Sequence, residues 1–193
     1  MKLLYTKRSP FARKVRVVGL EKAISFELID EDLQNKSPQL KLANPIAKVP
    51  TLILNNGNSI YDSKVIVQYL EEHFSKPQLI PSGERRYEAL KLEAMADDLV
   101  VNAINAYMEK IRHPKEANLA FIGGQEDSIR SVFDYLEENV VQLEGINIGT
   151  INVACAIGYV HFRLPHLKVN GALLVWFDEI SKRPSFTQTE PVV

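Results

Sequence analysis

The sequence predicts two domains of different class, an α/β domain of order βαβαββα followed by an all-α domain. Three observations predict this. Short apolar strands alternate with amphipathic helix patterns up to about residue 75. A stretch rich in breakers, Lys76-Pro77 through Pro81-Ser82-Gly83, then interrupts the pattern. Beyond it, apolar residues recur almost only at helical spacing. The expected boundaries are therefore 1–75, a linker at 76–83, and a helical domain at 84–193.

Leu3-Leu4-Tyr5 reads as the first strand. Ser9 followed by Pro10 starts a helix over 10–22, because serine at an N-cap and proline at the first helical position both suit unpaired backbone N–H groups. Phe26 to Ile29 forms the second strand, and 37–42 a short helix that Asn44-Pro45 breaks. Thr51 to Leu54 and Ser59 to Tyr61 flank Asn55-Asn56-Gly57-Asn58, the best hairpin signal in the chain. Asp62-Ser63 opens a helix carrying Val65, Ile66, Tyr69, Leu70 and Phe74 at helical spacing. This order implies a small mixed sheet with helices packed over it. Further on, 84–111 is a long helix, Gly123-Gly124 marks a loop, and 125–143, 152–162 and 172–181 are helices.

Composition excludes several function classes. A net charge of −1 offers no global attraction for nucleic acid or an anionic membrane. No apolar run has the length to span a bilayer, and the N-terminus turns charged too early for a signal peptide. The single Cys155 excludes an internal disulfide framework, so a cytoplasmic location is expected. His73, His113, His161 and His166 show no metal-ligand spacing, and no metal is expected. Cys155 sits in an apolar helix and reads as an inert core residue.

Four features precede residue 64: Ser9, Lys36, Val49-Pro50 and Asp62-Ser63. Each has a plain reading alone, as a cap, a solvated lysine or a proline that starts a strand. In a βαβαββα topology they can converge on one edge of the sheet. A hydroxyl at a helix N-terminus can then help to stabilise an anion.

Taken in order, these segments resemble the cytosolic glutathione S-transferase family. The resemblance covers essentially the whole chain. It rests on Ser-Pro-Phe-x-x-Lys from Ser9, Asn-Pro-x-x-Lys-Val-Pro-Thr-Leu from Asn44, Tyr-Asp-Ser-x-x-Ile-x-x-Tyr-Leu from Tyr61, and Arg-Pro-Ser-Phe from Arg183. Ala154 to Tyr159 and the tail 186–191 further resemble the family's bacterial YibF-like branch, of serine type. The resemblance implies a thioredoxin-like N-terminal domain that binds glutathione as cosubstrate. The helical domain would contribute the electrophile pocket and the contacts of a homodimer. It also implies detoxification by conjugation of small hydrophobic electrophiles.

By the same resemblance Ser9 is the catalytic residue and donates a hydrogen bond to the glutathione sulfur, with Arg8 or Arg13 nearby. Pro50 is cis and lets Val49 offer its N–H and C=O to the tripeptide. Asp62 and Ser63 meet the γ-glutamyl end, Lys36 the glycyl carboxylate, and Phe11 completes the glutathione contacts. Tyr107 and Met108 are electrophile-pocket candidates. Two departures stand out: Ala47 occupies a place where the family has glycine, and the capping box before the core helix is degraded around Gly149 to Val153. Two other classes share this fold. One is a glutathione-binding or protein-interaction module with little turnover. The other, a thiol–disulfide oxidoreductase, is disfavoured because serine stands where a nucleophilic cysteine is needed.

Overall fold

The computed structural model describes residues 1–192. Its first sheet is built on β1 (Lys2–Tyr5), whose Leu3, Leu4 and Tyr5 are buried between neighbours on both sides. The strand order is β2-β1-β3-β4, with β2 (Glu27–Asp30) parallel to β1, and β3 (Thr51–Ile53) and β4 (Ser59–Ile60) antiparallel in turn. Leu4 faces Thr51, and Leu52 faces Ile60. The hairpin turn spans 54–58, closed by Leu54 N–H to Asn58 O at 2.8 Å, with Gly57 at φ 87°. β4 stops before Tyr61, one residue short of the expected strand.

Three helices complete this sheet: α1 (Pro10–Glu21), α2 (Pro38–Ala43) and α3 (Ser63–His73). Gly19 lets α1 lie close to the chain entering β2, since a Cβ there would sit 2.3 Å from the Phe26 ring. Past the helix end, Ala23 adopts the left-handed region at φ 53°. The Lys22 ammonium is fully buried and pairs with Glu71 at 2.7 Å, and it also donates to the carbonyls of Phe74 and Pro77. Glu71 in turn accepts from the N–H groups of Leu79 and Ile80, which are buried.

The expected linker is therefore partly structured, and the first compact unit runs from Met1 to Ile80. It also takes in the segment that begins at Pro184, which the sequence had assigned to the helical domain. The physical reason is a set of contacts with α1. Phe186 is buried on the short helix α8 (Pro184–Thr187). Arg13 donates to Phe186 O at 3.3 Å, Arg16 to Gln188 O at 3.1 Å, and the Ser185 hydroxyl to Glu21.

The second unit, Pro81–Arg183, holds α4 (Glu84–Arg112), α5 (Leu119–Glu138), a 3-10 turn (Val140–Gln142), α6 (Ile148–Arg163) and α7 (Gly171–Ser181). Gly123 and Gly124 lie inside α5, not in a loop. Burial of Ile122, Ile129 and Phe133, with an Asn118 cap, outweighs a propensity cost of about 1 kcal/mol per glycine. Helix α6 is the core of this unit and packs on α4. A Cβ at Gly149 would meet Ala89 O at 2.6 Å.

A capping box is present where a degraded one was expected. The Asn147 side chain accepts from Thr150 N–H at 3.1 Å, and Thr150 Oγ1 accepts from Asn147 N–H at 2.9 Å. The box begins at Asn147, two residues before one of the registers read from the sequence (Gly149) and three before the other (Thr150). It uses an amide and a hydroxyl in place of a hydroxyl and a carboxylate. No helix among the described residues is long and apolar enough to cross a membrane.

Candidate functional site

Strand register brings the polar features of the first unit to one end of the sheet. β1 ends at Tyr5 where β3 begins at Thr51, β2 ends at Asp30 beside them, and β4 runs out towards Asp62 on the same side. The N-termini of α1 and α3 follow those strand ends. Two sets of unpaired helix N–H groups thus serve one region.

Ser9 caps α1 with extended backbone, and its Oγ accepts from Ala12 N–H at 3.2 Å. Among the described residues no group accepts the Ser9 hydroxyl proton, so that O–H remains available to donate. Pro10 sits at the first helical position and Phe11, half-buried, follows it. Lys7 and exposed Arg8 lie on the preceding turn and line an open cavity of about 550 Å³ with Thr6, Asp30, Glu31 and Asp32. Arg13 is buried, and its side chain donates to the tail at Phe186 O and Thr189 Oγ1.

The loop before β3 is held from below. Buried Asn44 donates to Lys48 O at 3.1 Å and to Thr51 Oγ1 at 3.0 Å, and accepts from Ile46 N–H at 2.9 Å. Thr51 donates to Lys48 O at 2.8 Å. Above this clamp the Val49–Pro50 bond is cis, and the Val49 N–H and C=O take no part in the chain's turns or ladders. Among the described residues they have no hydrogen-bond partner, which suits an extended ligand. Ala47 adopts φ 50°, the conformation for which glycine is the unstrained residue.

Asp62 caps α3, its Oδ1 accepting from Lys64 N–H at 2.9 Å, and the Tyr61–Asp62 bond is also cis. Ser63 is buried at the first helical position, and no described group takes up its hydroxyl. Lys36 is half-buried before Ser37, whose hydroxyl and N–H both donate to buried Glu31, at 2.7 and 3.2 Å. Ser37 caps α2, so Glu31 fixes the turn from which Lys36 projects.

In the second unit Tyr107 and Met108 are half-buried on α4. Arg163, at the end of α6, donates to the Tyr107 hydroxyl at 3.2 Å and lies 4.6 Å from that ring's centre. Phe162 and Tyr159 cover the same guanidinium at 4.3 and 6.0 Å. Burial pushes the Tyr159 hydroxyl above its ordinary value, against the opposing pull of Arg163. His161, on the same helix, is pushed down to about 4 by burial and by Lys168, with Asp178 opposing. Its ring is neutral at pH 7, and Nε2 faces Val169 N–H at 3.4 Å. Elsewhere burial raises the Glu126 carboxyl. Hydrogen bonds and charge from Lys110 and His166 outweigh that and hold it below the usual carboxylate range. No group of three or more metal-ligating side chains exists among the described residues.

A family model described as "Glutathione S-transferase, N-terminal domain" matches residues 3–78, which lie within the first unit. The chain is 32% identical to the uncharacterized GST-like protein YibF of Escherichia coli K12, covering 99% of this chain and 98% of that one. The chain belongs to the glutathione S-transferase family. A glutathione transferase family member from Pseudomonas fluorescens Pf-5, solved with bound glutathione, is 34% identical and superposes with a TM-score of 0.90. That match covers 100% of this chain and 99% of the other. A second structure under the same description, solved with bound S-(propanoic acid)-glutathione, is 35% identical with a TM-score of 0.88 and covers 100% of both chains.

For this glutathione S-transferase family member, the structure brings Ser9, Phe11, Val49, Pro50, Asp62 and Ser63 to one sheet end, with Lys36 on the loop after β2. Tyr107 and Met108 belong to the other unit. Sequence reasoning missed the supports Asn44, Thr51 and Glu31, and missed Arg163 altogether. Asn44 carried a signal, since Asn before Pro favours a turn held by its own side chain. Arg163 carried none, because its partner Tyr107 is 56 residues away.

Proposed function

We propose that this protein binds glutathione at the sheet end formed around Ser9 and conjugates its thiolate to small hydrophobic electrophiles. The observation that carries the reading is the Ser9 hydroxyl: anchored by Ala12 N–H, its proton uncommitted, at a helix N-terminus on the same sheet end as Val49–Pro50 and Asp62-Ser63. The Pseudomonas relatives with bound glutathione and bound S-(propanoic acid)-glutathione support it, since the second ligand's name describes a thioether of the glutathione sulfur.

A free thiol has a pKa of roughly 8.5, and helix N-termini and cationic groups lower it. Ser9 O–H donating to the sulfur, with the α1 N–H groups behind it, favours the thiolate over the thiol. Arg8 is the nearby cation that fits this role. Val49 would pair with the tripeptide backbone, Asp62 with its ammonium, Ser63 with the γ-glutamyl carboxylate and Lys36 with the glycyl carboxylate. Phe11 would pack beside the tripeptide. Ser9 forms no covalent bond; the sulfur attacks the electrophile, which the helical unit receives near Tyr107 and Met108. A cytoplasmic, detoxifying homodimer completes the reading.

Calorimetry at millimolar glutathione tests it first, and absence of binding sinks it. Ser9→Ala is expected to lower kcat/KM roughly 10–100-fold, the worth of one hydrogen bond to a charged group. It should also move the inflection of the pH–rate profile upward. An unchanged profile would assign thiolate stabilisation to another group.

A further inference from the structure

One cavity of the second unit faces charges that the fold itself does not use. It holds about 250 Å³, roughly the liquid volume of eight waters, which suits a small molecule rather than a chain segment. Its floor is apolar and buried: Phe133 of α5, Leu167 and Val169 of the loop after α6, and Leu173 of α7. Its rim is polar, made by Arg130, Asp134, His166, Lys168 and Asn170.

Two of those rim side chains are committed. Arg130 meets Asp127 at 2.8 Å and Glu126 at 3.2 Å, and His166 Nε2 lies 3.0 Å from Glu126 Oε1. The other three are spare. Among the described residues the Lys168 ammonium forms no ion pair or hydrogen bond, and neither does the Asp134 carboxylate. Asn170 stands at the N-cap position of α7, but its side chain makes no capping bond. Glu137 takes that role, accepting from Ala172 and Leu173 N–H at 2.9 and 2.7 Å. The amide is left free at the rim.

Lys168 and Asp134 are thus opposite charges on one cavity that do not meet each other. A plain carboxylate in the cavity would be drawn to Lys168 and repelled by Asp134. A plain amine would be drawn to Asp134 and repelled by Lys168. A zwitterion satisfies both charges, and an apolar body attached to it covers the floor. Removing that floor from water supplies the non-directional part of the affinity, while the two charges fix the orientation.

We propose that this cavity binds an apolar α-amino acid, with its carboxylate on Lys168, its ammonium on Asp134 and its side chain on the floor around Phe133 and Leu173. The Asn170 amide can serve either charged end, since it both donates and accepts. Every residue involved lies in the second unit, so the site does not rest on the transferase reading. Lys168, Asp134 and Asn170 are exposed, so water screens each contact and the affinity is modest.

Calorimetry on the whole protein compares L-phenylalanine with 3-phenylpropanoate and phenethylamine, which each lack one of the two charges. Phenylalanine is expected to bind with a Kd on the order of 1 mM, and each analogue about 5–10-fold more weakly. Lys168→Gln and Asp134→Asn should each weaken phenylalanine about fivefold. Each should also strengthen the analogue that the removed charge repels: phenethylamine for Lys168→Gln, 3-phenylpropanoate for Asp134→Asn. A merely structural role for these residues would weaken all three ligands alike, and that outcome overturns the proposal. So does absence of phenylalanine binding, or analogues that bind as well as phenylalanine. The wild-type comparison decides even where a variant fails to fold. Repeating the titration with millimolar glutathione should leave phenylalanine binding unchanged. Competition would place the amino acid at the first-unit site and overturn the assignment to this cavity.

Discussion

The two units place their polar chemistry on different kinds of support. In the first, the donors and acceptors are largely main chain: the N-termini of α1 and α3 and the Val49 peptide above the Asn44–Thr51 clamp. In the second they are long side chains meeting across helices, as in Tyr107 with Arg163, or Glu126 with Lys110, Arg130 and His166. A backbone site is a property of the fold and survives most substitutions around it. A side-chain site can be remade by one residue. On the function proposed above, this contrast suits an invariant cosubstrate in the first unit and a variable electrophile in the second.

The largest blow to the contrast should come from the tail. Phe186→Ala removes a fully buried ring from the first unit and is expected to cost about 3–5 kcal/mol. The single tryptophan, Trp176, lies in the second unit, where its Nε1 donates to Leu143 O. Urea unfolding followed by Trp176 fluorescence should shift less than loss of glutathione binding does. Equal shifts would mean that the two units unfold as one.

Acid should weaken the second unit through His161. Folding favours its neutral ring, with a pKa of about 4 against 6.5 for an ordinary histidine. The unfolded chain therefore binds the proton more readily, and stability is full above 6.5, declines as pH falls towards 4 and levels off below. His161→Gln, which keeps an acceptor for Val169 N–H but does not titrate in this range, should flatten melting temperature against pH across that window. A slope left intact would assign it to other groups. The smallest effect is expected at Ala23, whose left-handed backbone follows α1. Ala23→Gly should stabilise the first unit by at most about 1 kcal/mol, visible as a small rise in its melting temperature.

The fold and the helix caps of the candidate site were legible because their chemistry is local. Ser9 and Asp62 cap helices through N–H groups two or three residues away, and the order of strands and helices along the chain followed from patterns over a few residues. What was not legible depends on distance or on an unusual pair. Gly123 and Gly124 look like a loop until α5 is seen burying Ile122 and Ile129. The Asn147–Thr150 box hides because neither residue is the acid that such boxes commonly carry. Phe186 looks like part of the helical domain until its contacts with α1, more than 160 residues earlier, are known. The Tyr107–Arg163 pair has the same origin, since the chain brings it together only on folding.

The tail also sets an order of events during synthesis. The first unit is built from two stretches of chain, with roughly a hundred residues of the second unit between them. At about 5–20 residues per second, β1 to α3 waits on the order of 5–20 s before Phe186 can reach α1. During that interval the α1 surface that later receives Phe186 is open, and Arg13 lacks the carbonyl it will bind. The second unit, Pro81–Arg183, is therefore synthesised in full before the first unit has all of its parts.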